Sequence, residues 1–223
     1  MNYNLLDEQW IPVLYRDDAY KRVGIRKALQ DAAHIRQIAA SNPMDRVALL
    51  RFMLALLYWC KGNLPEHHDA SSDISFPIDW FSKLGQYVEC FNLLGEGKRF
   101  YQDRDARRSR PATDLLQEIP TDNNFWHFRH STDGADGLCL NCCAMGLLRL
   151  PLFSVSGLPD LKAGINGTPP VYVVLLCGSL LKTLEANWTS FAELGTPSWI
   201  QPDVRPAQGR VVPILTGLTL LSR

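Results

Sequence analysis

The chain has 223 residues, 46% of them hydrophobic, which is ample for a sizeable core, and its 23 basic and 23 acidic residues leave a formal charge of zero. Balanced charge excludes a protein drawn to nucleic acid or membrane by its global field, so any such contact needs a local patch. The opening MNYNLLDEQW lacks the basic and apolar regions of a secretion signal, and no apolar run approaches the ~20 residues that cross a bilayer. A cytoplasmic protein with no membrane partner is expected, its six cysteines reduced and serving as thiols or metal ligands.

In chain order, residues 3–16 read as an extended segment broken by Pro12, with Asp17-Asp18 turning into a second short strand near Tyr20–Val23. Residues 25–32 form a short amphipathic helix. Ser41-Asn42-Pro43 then supplies a cap and a first-turn proline for a long helix, Pro43–Lys61, which is apolar on most sides and ends at Gly62. Glu66-His67-His68-Asp69 follows in a polar loop without the helical spacing of a metal site. From Pro77, the stripe Ile78, Phe81, Leu84, Val88, Phe91 and Leu94 predicts another helix, packed against the long one and stopped by Gly95.

The next stretch, residues 98–110, carries six basic residues (Lys98, Arg99, Arg104, Arg107, Arg108 and Arg110) against two acids, Asp103 and Asp105. Arginine forks match phosphate, so this local excess is a candidate nucleic-acid contact within a neutral chain. The interleaved Phe100 and Tyr101 either stack on bases or anchor the segment in the core.

Residues 125–170 concentrate the remaining chemistry. The spacing of His127, His130, Cys139 and Cys142 offers two nitrogens and two sulfurs, the soft tetrahedral set that suits a structural zinc. The competing reading is a packed turn with loop histidines, the thiols acting as small apolar packers at a helix start. A buried helix follows from Cys142 to Leu150, stopped or kinked by Pro151. Beyond a glycine-bearing turn at Lys162 to Gly167, residues 171–176 read as a buried strand leading through Gly178 into a helix over 179–188, and a last apolar segment spans 211–221. Helices with few, scattered strands predict an α+β fold, read as a single large domain over residues 1–223.

Enzymatic signatures are scarce. There is no GxxxxGK[ST] loop and no GxSxG elbow, and a redox dithiol at Cys139/Cys142 lacks the βαβ setting that such sites use. A non-catalytic binding protein is the better class.

Five stretches then fall in a telling order: NLLDEQWIPV at 4–13, the apolar helix near residue 50, LCLNCCAMGLL at 138–148, LKAGINGTPPVYVV at 161–174 and PSWIQP at 197–202. Together they resemble the large subunit (CasA) of the type I-E CRISPR Cascade complex, in its N-terminal domain. The resemblance implies a subunit of an RNA-guided antiviral surveillance complex that recognises the protospacer-adjacent motif of duplex DNA, helps strand opening and recruits a helicase-nuclease. Guide RNA, the other Cascade subunits and target duplex DNA are the implied partners. By position, Phe128, Arg129 and His130 resemble the loop touching the guide-RNA handle. Lys162, Asn166 and Gly167 resemble the segment near the motif duplex, where a glycine turn also accounts for the glycines. Asp160 departs from the family's glycine-rich stretch and would repel phosphate, which predicts altered or lax motif reading. Nothing matches the family's C-terminal helical bundle. The alternative role is an adaptor that caps the guide-RNA handle end of the complex without reading DNA.

Overall fold

The computed structural model describes residues 2–63, 75–102, 115, 137–153, 171–201 and 213–219. Strand β1 (Tyr3–Asn4) leads through a tight loop to β2 (Ile11–Tyr15), and Asp18, at φ 64, turns the chain into β3 (Tyr20–Val23). Helix α1 (Ile25–Gln30) and strand β4 (Ile35–Ile38) follow, and β4 closes an antiparallel sheet in the order β3-β2-β4. Pro12 sits inside the central strand without breaking it. It lies one residue beyond the last pair with β4, Val13 opposite Ile38, and its carbonyl accepts the Ala39 N–H at 2.9 Å. Its missing donor therefore forfeits only the reciprocal bond to Ala39, at the end of the β2–β4 ladder.

The loop between β1 and β2 docks this sheet on the rest of the fold. The Leu5 carbonyl accepts from the Trp10 indole at 2.8 Å and from the Ile25 N–H at 3.2 Å, and the Leu5 N–H reaches the Phe91 carbonyl at 2.9 Å. Gly24 makes that approach possible: a Cβ there would stand 2.5 Å from the Leu6 carbonyl oxygen and 2.8 Å from Asp7 Cα.

Helix α2 (Pro43–Lys61) is the central core element, buried on most of its surface. The Asn42 side chain accepts the Met44 N–H as its cap, Pro43 occupies the first turn, and Gly62, at φ 82, ends it. Around it stand aromatic rings from distant parts of the chain. Phe52 meets Phe100 at 5.4 Å and Trp199 at 5.6 Å, and Trp59 meets Tyr87 at 5.3 Å and Trp199 at 5.6 Å, all edge-on.

The segment from Pro77 does not form the single helix that its apolar stripe predicts. A 3-10 turn (Ile78–Phe81), a short helix α3 (Ser82–Gln86), a second 3-10 turn (Val88–Phe91) and strand β5 (Asn92–Leu94) follow one another. Leu84 and Phe91 are buried as the stripe requires, whereas Ile78 and Val88 face solvent. The pairing of β5 with β1 calls for an extended backbone where the helix would have run. Packing against α2 holds as expected, with Lys83 Nζ donating to the Trp59 carbonyl at 3.0 Å.

Helix α4 (Leu140–Phe153) lies on α2 and contains Pro151, so the proline does not stop it and the helix runs two residues further. Helices α5 (Leu180–Ala186), capped by Ser179, and α6 (Ile214–Thr219) complete the cover of α2. The buried strand expected over residues 171–176 is absent. Tyr172 and Val174 pack on the core, but Val171 and Val173 are 81% and 86% exposed, and no sheet neighbour stands beside them among the described residues. Among the described residues, mixed helices with two small antiparallel sheets make this the α+β class predicted from the sequence.

Candidate functional site

The start of α4 carries the one part of the expected metal set that lies within the described residues. Cys139 and Cys142 are both exposed, with Sγ atoms 3.2 Å apart, and the Cys142 N–H donates to Cys139 Sγ at 3.4 Å. That backbone hydrogen bond, helped by the Cys142 thiol, lowers the pKa of Cys139. The same thiol contact, with burial, pushes Cys142 up to about 11. Arg22 of β3 also favours the Cys139 thiolate. The Tyr3 hydroxyl donates to Asn141 Oδ1 at 2.5 Å and ties the Cys-Leu-Asn-Cys turn to β1.

A thiol pair so placed suits a soft divalent metal. Tetrahedral zinc holds its sulfurs about 3.8 Å apart, a small opening from the spacing here. No group of three or more metal-ligating side chains forms among the described residues, and His127 and His130 lie outside them.

Behind the thiols, α4 is fastened by a buried charge. Arg149, its side chain 3% exposed, sits with Nε 3.1 Å from Asp45 Oδ1 in the first turn of α2, and its Nη2 donates to the Leu115 carbonyl at 3.1 Å. Leu115 presses against Gly146, where a Cβ would come within 2.6 Å of the Leu115 Cβ. None of this was marked in the sequence, because a lone arginine in an apolar helix carries no spacing signal.

Of the expected nucleic-acid contacts, Lys98 is exposed just after β5. Phe100 and Tyr101 are buried against the Phe52, Phe91 and Trp199 rings, which decides between the two readings left open for them. They anchor the segment in the core and are not base-stacking platforms. The Phe100 N–H donates to the Asn92 carbonyl at 2.8 Å, and Gln102 Nε2 donates to the Leu93 carbonyl at 2.8 Å, so the basic segment starts from a turn hooked onto β5. Arg104, Arg107, Arg108, Arg110, Phe128, Arg129, His130, Lys162, Asn166 and Gly167 lie outside the described residues.

A shallow cleft of about 350 Å³ beside β3 is lined by Lys21, Arg22 and Lys27 together with Asp7 and Asp31. Of these charges, Lys27 pairs with Asp31 at 3.0 Å, Asp7 pairs with Arg26 at 3.2 Å, and Lys21 lies over the Tyr15 ring at 5.1 Å.

Comparison with known proteins accounts for the fold. The family model described as CRISPR-associated protein Cse1 matches residues 4–223. A CasA/Cse1 protein of Thermus thermophilus is 30% identical over 148 residues, which is 59% of this chain and 27% of the relative. The crystal structure of Thermobifida fusca Cse1 superposes with a TM-score of 0.72 at 22% identity, over 90% of this chain and 43% of that one. A chain from a CRISPR RNA-guided surveillance complex shares the fold with a TM-score of 0.69 at 15% identity, over 92% of this chain and 47% of that one. The chain thus spans less than half the length of the relatives it matches. With a family match that runs from residue 4 to residue 223, the chain belongs to the Cse1 family of CRISPR-associated proteins.

Proposed function

We propose that the chain is a non-catalytic, cytoplasmic subunit of an RNA-guided CRISPR surveillance complex, recognising the protospacer-adjacent motif of duplex DNA, helping strand opening and recruiting the helicase-nuclease. The observation that carries this reading is the Cse1 family match over residues 4–223. The division of labour is physical: guide pairing reads sequence, and protein reads a short motif and the phosphate track. Arg104, Arg107, Arg108 and Arg110, with Lys98, supply the phosphate contacts. Lys162, Asn166 and Gly167 approach the motif duplex, while Phe128, Arg129 and His130 face the guide-RNA handle. Burial of Phe100 and Tyr101 supports a basic segment that works through charge instead of stacking.

The test is binding of the reconstituted guide-RNA complex, with and without this chain, to duplexes carrying or lacking a motif, across a salt series. Adding the chain should raise affinity only for motif-bearing DNA. Arg107→Ala with Arg108→Ala should flatten the slope of log K against log salt by about 2, roughly 0.9 for each phosphate no longer neutralised. Intact slopes with impaired assembly would instead support an adaptor that caps the complex.

A structural zinc held by His127, His130, Cys139 and Cys142 belongs to the same reading. It would fix the start of α4 and supply no chemistry to DNA recognition. Metal analysis of the purified chain should find about one zinc per chain, absent from Cys139→Ser. Equal zinc content in the native chain and the variant would rule that ligand set out.

A further inference from the structure

A cavity of about 190 Å³ opens between α2, residues 172–174, Asn187, Thr189 and α6. Arg51 lines it. This guanidinium is largely buried, and burial lowers its pKa. Among the described residues only its Nη2 donates, to the Gly217 carbonyl at 3.2 Å, while the buried Nε finds no acceptor. Its Cζ lies 5.1 Å from the centre of the Tyr172 ring, and no carboxylate among the described residues pairs with it. A cation taken out of water without an anion is costly, and an aromatic face recovers only part of that cost.

The cavity wall is itself unfinished. Residues 171–175 show the alternating burial of a strand, Tyr172 and Val174 inward, Val171, Val173 and Leu175 outward. Asn187 takes one side of this segment, its side chain receiving the Leu175 N–H at 3.0 Å and donating to the Leu175 carbonyl at 2.8 Å, as a neighbouring strand would. The N–H groups of Tyr172 and Val174 have no acceptor among the described residues. With Leu176, the outward side chains form an exposed apolar ridge beside a guanidinium that no carboxylate among the described residues neutralises.

We infer that residues 171–176 and the Arg51 cavity form a docking site for an extended segment of a partner protein, which adds a β-strand along residues 171–175 and seats an acidic side chain against Arg51. The unpaired backbone supplies the hydrogen bonds of strand addition, the ridge supplies apolar contact, and the buried cation selects the charge of the occupant. The inference uses none of the residues assigned to DNA, and stands or falls independently of that assignment.

The experiment selects binders from a displayed library of short random peptides on the purified chain, then measures the winners by fluorescence anisotropy. Enriched sequences should alternate apolar and polar residues and share an acidic position. Replacing that acid with its amide should weaken binding about tenfold on the native chain and leave it unchanged on Arg51→Met, because the charge-assisted bond is then already gone. Val173→Lys, at a side chain too exposed to carry the fold, should weaken the same peptides and keeps the test open even if Arg51→Met lowers stability. The inference is overturned by a library that yields no binder, by winners without an acid, by acid and amide peptides that bind alike, or by indifference to Val173→Lys. It is equally overturned if a DNA or RNA oligonucleotide, and no peptide, binds in a manner that depends on Arg51.

Discussion

Replacing Trp10 with alanine should remove about 4 kcal/mol of stability, the range found when a large aromatic is deleted from a packed core. The ring is 1% exposed, and its indole N–H holds the Leu5 carbonyl at 2.8 Å. Leu5 is also the residue whose N–H reaches Phe91 and whose carbonyl receives Ile25, so the cavity opens where the three-stranded sheet, α1 and the segment before β5 meet. With an m-value of about 2 kcal/mol/M, the urea midpoint should fall by about 2 M. Trp10→Phe, which keeps most of the volume and loses the indole donor, should cost about 1 to 2 kcal/mol. If alanine and phenylalanine proved equally mild, the loop would not be the junction described.

Arg149→Met should cost about 3 kcal/mol by a different route. The substitution keeps the length of the side chain but deprives Asp45 of its counter-charge and the Leu115 carbonyl of its guanidinium donor. Because Asp45 lies in the first turn of α2, some of its charge remains favoured by the helix end after the arginine is gone. Asp45→Asn combined with Arg149→Met should therefore recover part of the loss, giving a coupling of about 1 to 2 kcal/mol in a double-mutant cycle read by urea unfolding. Strict additivity of the two substitutions would show that the 3.1 Å approach contributes nothing to stability.

What could be read from the sequence follows the range of the signal. The limits of α2 were legible because the Asn42 cap, Pro43 and Gly62 act within one turn of the residues they govern. The Asp17-Asp18 turn and its two strands were legible for the same reason. β4 and the pairing of β1 with β5 went unread, since a strand of two to four residues exists only through its partner, and for β1 that partner lies near residue 92. The apolar stripe from Ile78 to Leu94 suited a helix, but the demand of β1 for an extended neighbour overrode it. Residues 171–176 failed otherwise: an apolar run looks the same whether both its faces are buried or one is left open. At the candidate site, the thiols and the basic run stood out by composition, whereas Arg149 and Arg51 did not. An isolated cation in a helix is ordinarily solvent-facing, and only the packing around each shows that it is not.

The aromatic collar around α2 has a consequence for synthesis. Trp10, β2, β3, α1 and β4 all lie within the first 38 residues and can assemble as soon as they leave the ribosome. α2 cannot follow at once, because Tyr58 awaits Thr189, 131 residues later in the chain, and Trp59 awaits Trp199. At about 5 to 20 residues per second, the central core helix of the protein stays uncovered for roughly ten to thirty seconds of translation. The nascent chain is thus a client for holding chaperones over that interval, and synonymous codons that slow translation between residues 62 and 199 would lengthen its exposure without altering a single side chain.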